Sequence, residues 1–511
     1  MSKRNQCEKG EKNMSTLLNG MKNATNYTYT ENGALTHKST MSSLLDLFAM
    51  GAAYRTRSDE DCIFLFKKAF DEDEVHALKC LFYLRDVRGG QGERRFFRVV
   101  TRWLADHQTE AMRRNLEFVP EFGRWDDLYE FIGTKLEENA FELMRKQLML
   151  DVQCKTPSLL AKWLKSENTS SSKSRELANK TRQAFHMNHK EYRKTLSVLR
   201  ERIKVLERLM SENRWEEIEF DKIPSKAGLV YRNAFARRDM IKAKYEHFVK
   251  DEKTTVNAGT LYPYEVVAKA YNLTNAGYYY WNRKTDIDPV ERAAINKYWA
   301  NLKDYFNGCT LDALCMIDTS GSMWGSEASA PINVAISIGL YAAERARGPF
   351  AGHYISFSSR PQLIETAGID FVDKVQRIYS TNLCENTNIE AAFDMVLRTA
   401  INNHCTQADL PKSIIVVSDM EFDAQRGYYG SRNGTLMENI ERKWNQAGYK
   451  MPNLVYWNVQ ARQNNIPMTV KDGISYVSGF SPVIFEQIMK GKTAFDLMLD
   501  KLDSERYACI K

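Results

Sequence analysis

Leu311-Asp-Ala-Leu-Cys-Met-Ile-Asp-Thr-Ser-Gly-Ser-Met323 decides the fold class of this chain. The largely apolar run Leu311 to Ile317 has the length and bounded form of a buried parallel strand, and it stops abruptly at Asp318-Thr-Ser320-Gly-Ser322. In an extended segment residues two apart point the same way, so Asp318, Ser320 and Ser322 can converge three oxygens on one point. Carboxylate and hydroxyl oxygens are hard donors that suit Mg²⁺, Mn²⁺ or Ca²⁺ rather than zinc. Two later stretches can complete the shell. Thr387 precedes an amphipathic helix carrying Ile389, Ala392, Phe393, Val396 and Leu397, and Ser413-Ile-Ile-Val-Val-Ser418 is a second apolar strand ending in Asp419. Loops at the carboxyl ends of parallel strands share one edge of a sheet, so Thr387 and Asp419 are expected to meet Asp318 there. The same residues can instead merely cap helices and fix turns.

Outward from this stretch the carboxyl half alternates strand and helix. A helix is expected over Ala330–Arg345, a hairpin over His353–Ser358 and Gln362–Glu365, and helices around Phe371–Tyr379 and after Thr387. Beyond Asp419 follow a helix at Thr435–Ala447, strands at Asn453–Val459 and Ile474–Ser478, and a closing helix at Val483–Leu502. That order predicts a doubly wound, mostly parallel sheet with helices on both faces and one antiparallel edge strand.

Residues 41–306 carry helical periodicity almost throughout, whereas residues 1–40 are polar, Asn/Thr-rich and read as a mobile arm. Helices are expected at Glu74–Leu84, Glu93–Asp106, Thr109–Val119, Trp125–Gly133, Glu138–Val152, Ser158–Lys165, Ser174–Phe185, Glu191–Met210, Tyr231–Val249 and Pro289–Tyr305. Consecutive helices without strand-like alternation predict stacked antiparallel pairs, HEAT-like in kind, although no strict repeat is present. The fold class is therefore multidomain α + α/β: an amino-terminal α-helical repeat domain (41–306) followed by an α/β domain (307–511).

Composition narrows the function classes. A hydrophobic fraction of 43% with 11% aromatics marks a globular chain. No apolar run reaches the ~18 residues needed to span a bilayer, and the first 22 residues lack a secretory apolar core, so a cytoplasmic protein is expected. The nine cysteines are odd in number and form no Cys-x-x-Cys pair, as reduced thiols would. The net charge of +7 is unevenly placed: Lys155–Lys250 holds 23 Lys and Arg against 12 Asp and Glu, a balance of +11, and the remainder sums to −4. A local basic field is the electrostatic footprint of a nucleic-acid binder.

Several stretches inside the helical half stand out. Tyr83-Leu-Arg85-Asp-Val-Arg88-Gly-Gly-Gln-Gly92 sets a glycine-rich turn between arginines, whose amides and guanidiniums can hold a phosphate, or whose glycines can simply end one helix and begin another. Leu160 to Arg175 joins two basic helix ends through a Ser/Thr loop and offers donors to a phosphodiester backbone. Candidate phosphate contacts are Arg85, Arg88, Lys162, Lys165, Lys173, Arg175, Lys180, Arg182, Arg193 and Lys194, each of which can equally be a solvated helix face. His186 and His189 stand at a spacing that could ligate a metal, but no Cys or acidic partners cluster nearby, and no zinc is expected there. Tyr278-Tyr-Tyr-Trp281 can stack on bases or pack in a core.

Asp318-x-Ser320-x-Ser322, Thr387 and Asp419 resemble the metal-ion-dependent adhesion site (MIDAS) of von Willebrand factor A (vWA) domains. The resemblance implies a Mg²⁺ held directly or through water by these five residues, with one position left for an acidic group of a partner. Thr30-Glu-Asn-Gly-Ala34, Tyr83-Leu-Arg-Asp-Val-Arg-Gly-Gly90, Phe122-Gly-Arg-Trp-Asp-Asp127, Leu160-Ala-Lys-Trp-Leu164 and Asn257-Ala-Gly-Thr-Leu-Tyr-Pro263 resemble signatures of an uncharacterised phage, viral, bacterial and plant family that joins helical repeats to a vWA domain. Its architecture is similar to the TROVE-domain Ro autoantigen, and Ser418-Asp-Met-Glu-Phe-Asp423 is a Ro-like form of the last metal loop. What Ro implies is a helical ring whose basic surface binds structured small RNAs and single-stranded 3′ ends, clasped by the vWA domain.

No Ser/His/Asp grouping, reactive Cys/His pair or P-loop is found in the sequence, so the chain is read as a binder rather than an enzyme, with a metal-dependent hydrolase as the minor alternative. The expected function is a Ro-like RNA-binding scaffold or RNA quality-control protein. Its alternative is a protein-interaction module that clasps an acidic protein ligand through the metal without binding RNA.

Overall fold

The computed structural model describes residues 25–275, 284, 286–306, 308, 310–357, 359–366, 368–381, 386–424, 434–468, 470–488 and 493–511. Tyr278–Trp281 lies outside the described residues, as does the arm before Thr25.

The carboxyl half is built on a six-stranded sheet. Its strands are β3 (Ala313–Asp318), β4 (His353–Phe357), β5 (Gln362–Glu365), β6 (Ser413–Ser418), β7 (Asn453–Asn458) and β8 (Ile474–Ser478), in the order β5-β4-β3-β6-β7-β8. All neighbours run parallel except the edge pair β4–β5. β3 is buried along its whole length and β6 along all but its first residue, which explains their unbroken apolar runs. Helices Pro331–Arg345, Phe371–Thr381, Ile389–Asn402 and Leu436–Gln446 alternate with the strands. This is the vWA-like doubly wound sheet expected from the alternation.

The amino-terminal half is a run of stacked α-helices. Most of the expected helices form, and Asp59–Glu72 and Pro263–Thr274 join them, but Trp125–Phe131 is a 3-10 helix, Thr109–Val119 ends as an α-helix at Asn115, Ser158–Lys165 shortens to Leu160–Trp163 and Pro289–Tyr305 ends at Ala300. Glu191–Met210 is not continuous: the helix His189–Arg202 ends, Lys204 takes a left-handed φ of +48°, and Leu206–Ser211 starts a new direction. Tyr231–Val249 is likewise two helices, Ser225–Arg237 and Asp239–Lys250, separated by the extended Arg238. The second pair encloses a satellite core of Trp215, Phe220, Phe235 and Tyr245, whereas one larger core runs through both halves of the chain.

Both ends of the helical run rest on the α/β domain. Ser43–Met50 packs on β8, and Glu74–Arg85 packs on the helix Ala494–Leu502; at the other end Pro263–Thr274 and Pro289–Ala300 pack on Phe371–Thr381. The ends also meet each other, because a Cβ on Gly92 would stand 1.9 Å from the Tyr262 hydroxyl.

Residues 25–40, expected within the mobile arm, include an antiparallel hairpin, β1 (Tyr27–Tyr29) with β2 (Leu35–His37). Gly33 turns its tip at φ +83°, a conformation that glycine adopts at no steric cost. His37 exchanges backbone hydrogen bonds with Ile466, N to O at 3.0 and 2.9 Å, so the hairpin is fastened to the loop after β7. Among the described residues no helix is long and apolar enough to cross a membrane.

Candidate metal centre and nucleic-acid interface

The parallel register pairs Ile317 with Val417, so β3 and β6 end together and carry Asp318 and Asp419 to one edge. Ser418 Oγ donates to Asp318 Oδ2 at 2.5 Å, and the Ser320 amide donates to Asp318 Oδ1 at 2.9 Å. Ser320 Oγ and Ser322 Oγ are 3.2 Å apart. After Asp419 the backbone turns through Met420 at φ +65°, and the Glu421 amide donates to Asp419 Oδ1 at 3.1 Å. The Asp423 amide donates to the Thr387 carbonyl at 3.0 Å, which joins the Thr387 loop to the Asp419 loop. The five expected residues are thus gathered on one strand edge. Asp318, Ser320, Thr387 and Asp419 are buried, and Ser322 is half-buried.

The electrostatics of this edge suit a cation. Burial and the neighbouring Asp419 carboxylate push the Asp318 carboxyl well above its usual range. Burial pushes Glu421 up to about 7. Arg462 donates to Asp419 Oδ2 at 2.9 Å and is the cation found on that carboxylate among the described residues. No group of three or more His, Cys, Asp or Glu able to hold a metal occurs among the described residues. The donor set is instead two carboxylates with three hydroxyls, hard oxygens that fit Mg²⁺ and leave coordination positions to water.

Sequence reasoning missed the residues that surround the shell. Thr30 Oγ1 donates to the Phe422 carbonyl at 2.6 Å, the Glu31 amide to Glu421 Oε2 at 2.7 Å, and Asn32 Nδ2 to the Glu421 carbonyl at 2.6 Å. Asn32 Nδ2 also lies 3.5 Å from Thr387 Oγ1. Both stretches are visible as motifs, Thr30-Glu-Asn-Gly-Ala34 and Ser418-Asp-Met-Glu-Phe-Asp423, but nothing in the order of residues says that they touch.

The basic candidates separate into two groups. Arg85 is withdrawn from solvent: its side chain is 1% exposed and donates to Asp127 Oδ2 through Nε at 2.9 Å and Nη2 at 2.6 Å. It therefore cannot reach a phosphate. Arg88 is exposed, and its Nη1 donates to the Glu121 carbonyl at 2.7 Å. The glycine-rich turn spends its amides internally, Gln91 on Tyr83, Gly92 on Asp86 and Glu93 on Leu84, so it is a helix junction. Arg182 is paired with Glu167 at 3.1 Å, Lys180 with Glu176 at 3.4 Å and Arg193 with Glu167 at 3.9 Å.

Lys162, Lys165, Lys173, Arg175 and Lys194 have no carboxylate within ion-pair distance among the described residues. Lys173, Arg175 and Lys194 are exposed, and Arg175 also braces the Thr169 and Ser170 carbonyls at 2.6 and 2.8 Å. Lys162, Lys165 and Arg193 line a groove of about 820 Å³ together with Trp163, Ser166, Asn168, Thr169, Arg200 and Arg208. Arg200 forms the floor, donating to Ala161 O, Ser166 Oγ and Leu164 O at 2.8, 2.9 and 2.8 Å. Glu167 tempers the groove by holding Arg182 and His189, the latter at 2.7 Å.

Residues 30–158 and 148–306 match the domain of unknown function DUF2828, and residues 312–507 match the domain of unknown function DUF7788. The uncharacterized protein L728 of Acanthamoeba polyphaga mimivirus is 28% identical over 91% of this chain and 85% of its own length. Among solved structures, the Deinococcus radiodurans RO (RSR) protein is similar over 91% of this chain and all of its own, with a TM-score of 0.47 and 14% identity.

Proposed function

The chain belongs to the family of the domain of unknown function DUF2828, and from the chemistry of its surface we propose that it is a Ro-like RNA-binding scaffold. The observation that carries this is the groove over Lys162–Thr169: Lys162, Lys165 and Arg200, none with a carboxylate within ion-pair distance among the described residues, stand beside hydroxyls and an indole in a space of about 820 Å³ that Glu167 and Glu207 also line. Unpaired cations attract a phosphodiester chain by releasing its counterions, and hydroxyls and amides fix its register. Trp163 offers a stacking surface for an unpaired base, with Arg124 already 4.8 Å from its ring centroid. Lys173, Arg175 and Lys194 extend the positive field around the groove.

In this reading Asp318, Ser320, Ser322, Thr387 and Asp419 hold a Mg²⁺, with Mn²⁺ or Ca²⁺ as substitutes. An ion held there would neutralise the buried carboxylates, with the loops after β3 and β6 supplying its oxygens. It acts as a clasp, and the chain's own residues supply the RNA contacts.

The test is fluorescence anisotropy of a structured RNA with a single-stranded 3′ tail, titrated across a salt series with Mg²⁺ and with EDTA. Submicromolar binding that weakens steeply with salt and persists in EDTA supports RNA binding on the basic helices. Absence of binding at low salt overturns it, and binding of an acidic protein that EDTA abolishes with a shallow salt slope establishes the interaction-module alternative.

A further inference from the structure

Thr30–Ala34 caps the edge at which the metal residues meet. The tip is bonded on both sides of that edge: through Glu31 N and Asn32 Nδ2 to Glu421, through Asn32 Nδ2 toward Thr387 Oγ1, and through Asn32 O, which accepts from the Ala424 amide at 3.1 Å. The tip residues Glu31 and Asn32 are exposed, whereas Asp318, Thr387, Asp419 and Glu421 beneath them are buried. The face that an acidic partner would approach is thus covered by the chain's own amino-terminal segment.

Arg462 makes the arrangement specific. Its Nη1 lies 2.9 Å from Glu31 Oε2, and its Nη2 lies 2.9 Å from Asp419 Oδ2. One guanidinium therefore cross-links the hairpin carboxylate to a metal-site carboxylate, which is the office a cation performs between two acids. A second observation points the same way: Glu421 is fully buried, its Oε2 takes the Glu31 amide, and its Oε1 has no hydrogen-bond partner. Glu31, Asp318, Asp419 and Glu421 thus bring four carboxyl groups to the edge where Arg462 stands.

We propose that the metal site takes its acidic group in cis, with Glu31 of the hairpin tip as the carboxylate presented to the ion, so that ion binding and hairpin docking are coupled. This rests on the metal-centre reading given above. Arg462 holds Glu31 beside Asp419, and an ion held by the site would take over the charge balance between these two carboxylates that Arg462 supplies. The hairpin is then locked to the α/β domain, and an external acidic ligand reaches the ion only by displacing it.

The experiment uses the full chain and two readouts. Mn²⁺ binding is followed by electron paramagnetic resonance for the wild type, Glu31→Gln and Asp318→Ala, and amide exchange of the segment containing Glu31–Ala34 is followed by mass spectrometry with Mg²⁺ or EDTA. The proposal expects Asp318→Ala to abolish Mn²⁺ binding and Glu31→Gln to weaken it at least about tenfold, no less than the loss of a residue that merely supports a metal ligand. It expects tip amides in the wild type to exchange at least about tenfold more slowly with Mg²⁺, a coupling of ~1.4 kcal/mol. Asn32→Ala, which loosens the tip without removing a carboxylate, should reduce that difference. Mn²⁺ binding that Asp318→Ala removes but Glu31→Gln leaves unchanged, with equal tip exchange in Mg²⁺ and EDTA, overturns the cis ligand and leaves the metal centre standing. No Mn²⁺ binding by the wild type overturns both.

Discussion

Replacing Asp127 by alanine is expected to destabilise the helical half severely. Asp127 is fully buried and accepts from Arg85 Nε and Nη2, from Arg98 Nε at 2.6 Å and from the Arg124 amide at 3.0 Å, while Arg94 lies 3.7 Å away. Removing the carboxylate leaves the Arg85 guanidinium buried without a counter-charge and faces it with its neighbours. Breaking one side of a buried pair costs about 3–5 kcal/mol, and the number of cations gathered here places Asp127→Ala at the upper end. Arg85→Ala should cost less, because Arg98 remains on the carboxylate. At roughly 2–4 °C per kcal/mol for a unit of this size, a loss of ~4 kcal/mol lowers the midpoint by roughly 8–16 °C. Thermal and urea melts followed by circular dichroism measure it. The paired replacement Arg85→Met with Asp127→Leu, which removes both charges, should recover much of the loss. A cost for Asp127→Ala below about 1 kcal/mol, the range of an exposed pair, refutes the claim that this network is a buried strut.

Three further outcomes are expected. Burial alone would raise the Asp127 and Asp86 carboxyls, but Arg85 and Arg98 beside the first, and Arg506 beside the second, hold both below their ordinary value. Their stabilisation is therefore complete above the unfolded carboxylate pKa of about 3.9 and is lost as pH falls through the lower folded values, so the stability gap between wild type and Asp127→Asn should narrow only below about pH 4. Gly90→Ala should fail to fold at 37 °C or melt far lower, because its Cβ would stand 2.0 Å from the Tyr83 carbonyl; a melt within a degree of wild type would contradict that packing. Glu167→Gln frees Arg182, His189 and Arg193 from their shared carboxylate, so it should tighten RNA binding and steepen its salt dependence; unchanged binding would show that RNA does not use the groove.

Much of the α/β half was legible because its central strands β3 and β6 are buried and read as apolar runs, each ending at the residue that matters: Ile317 before Asp318, Ser418 before Asp419. Helix positions were legible from periodicity, but the break at Lys204 was not. The stripe Leu196, Leu199, Ile203, Leu206 continues across it, and no glycine or proline marks the turn, which is held by Val205 N on Arg200 O at 3.2 Å. Arg85 looked like a phosphate ligand because its partner lies 42 residues away and no local pattern shows it. The hairpin was invisible for the same reason. Its strands are three residues each and polar, and its bonds reach residues about 390 positions on. Local propensity cannot register order that is imposed by so distant a loop.

The most direct measurement of the central claim is RNA affinity, by anisotropy at fixed moderate salt, for the triple variant Lys162→Glu, Lys165→Glu and Arg193→Glu beside a control that reverses the same number of charges outside the groove, Lys146→Glu, Arg113→Glu and Lys250→Glu. The groove account predicts that the first loses binding by two orders of magnitude or more while the control stays within a few-fold of wild type. Equal losses in both variants, or retained affinity in the groove variant, would contradict it.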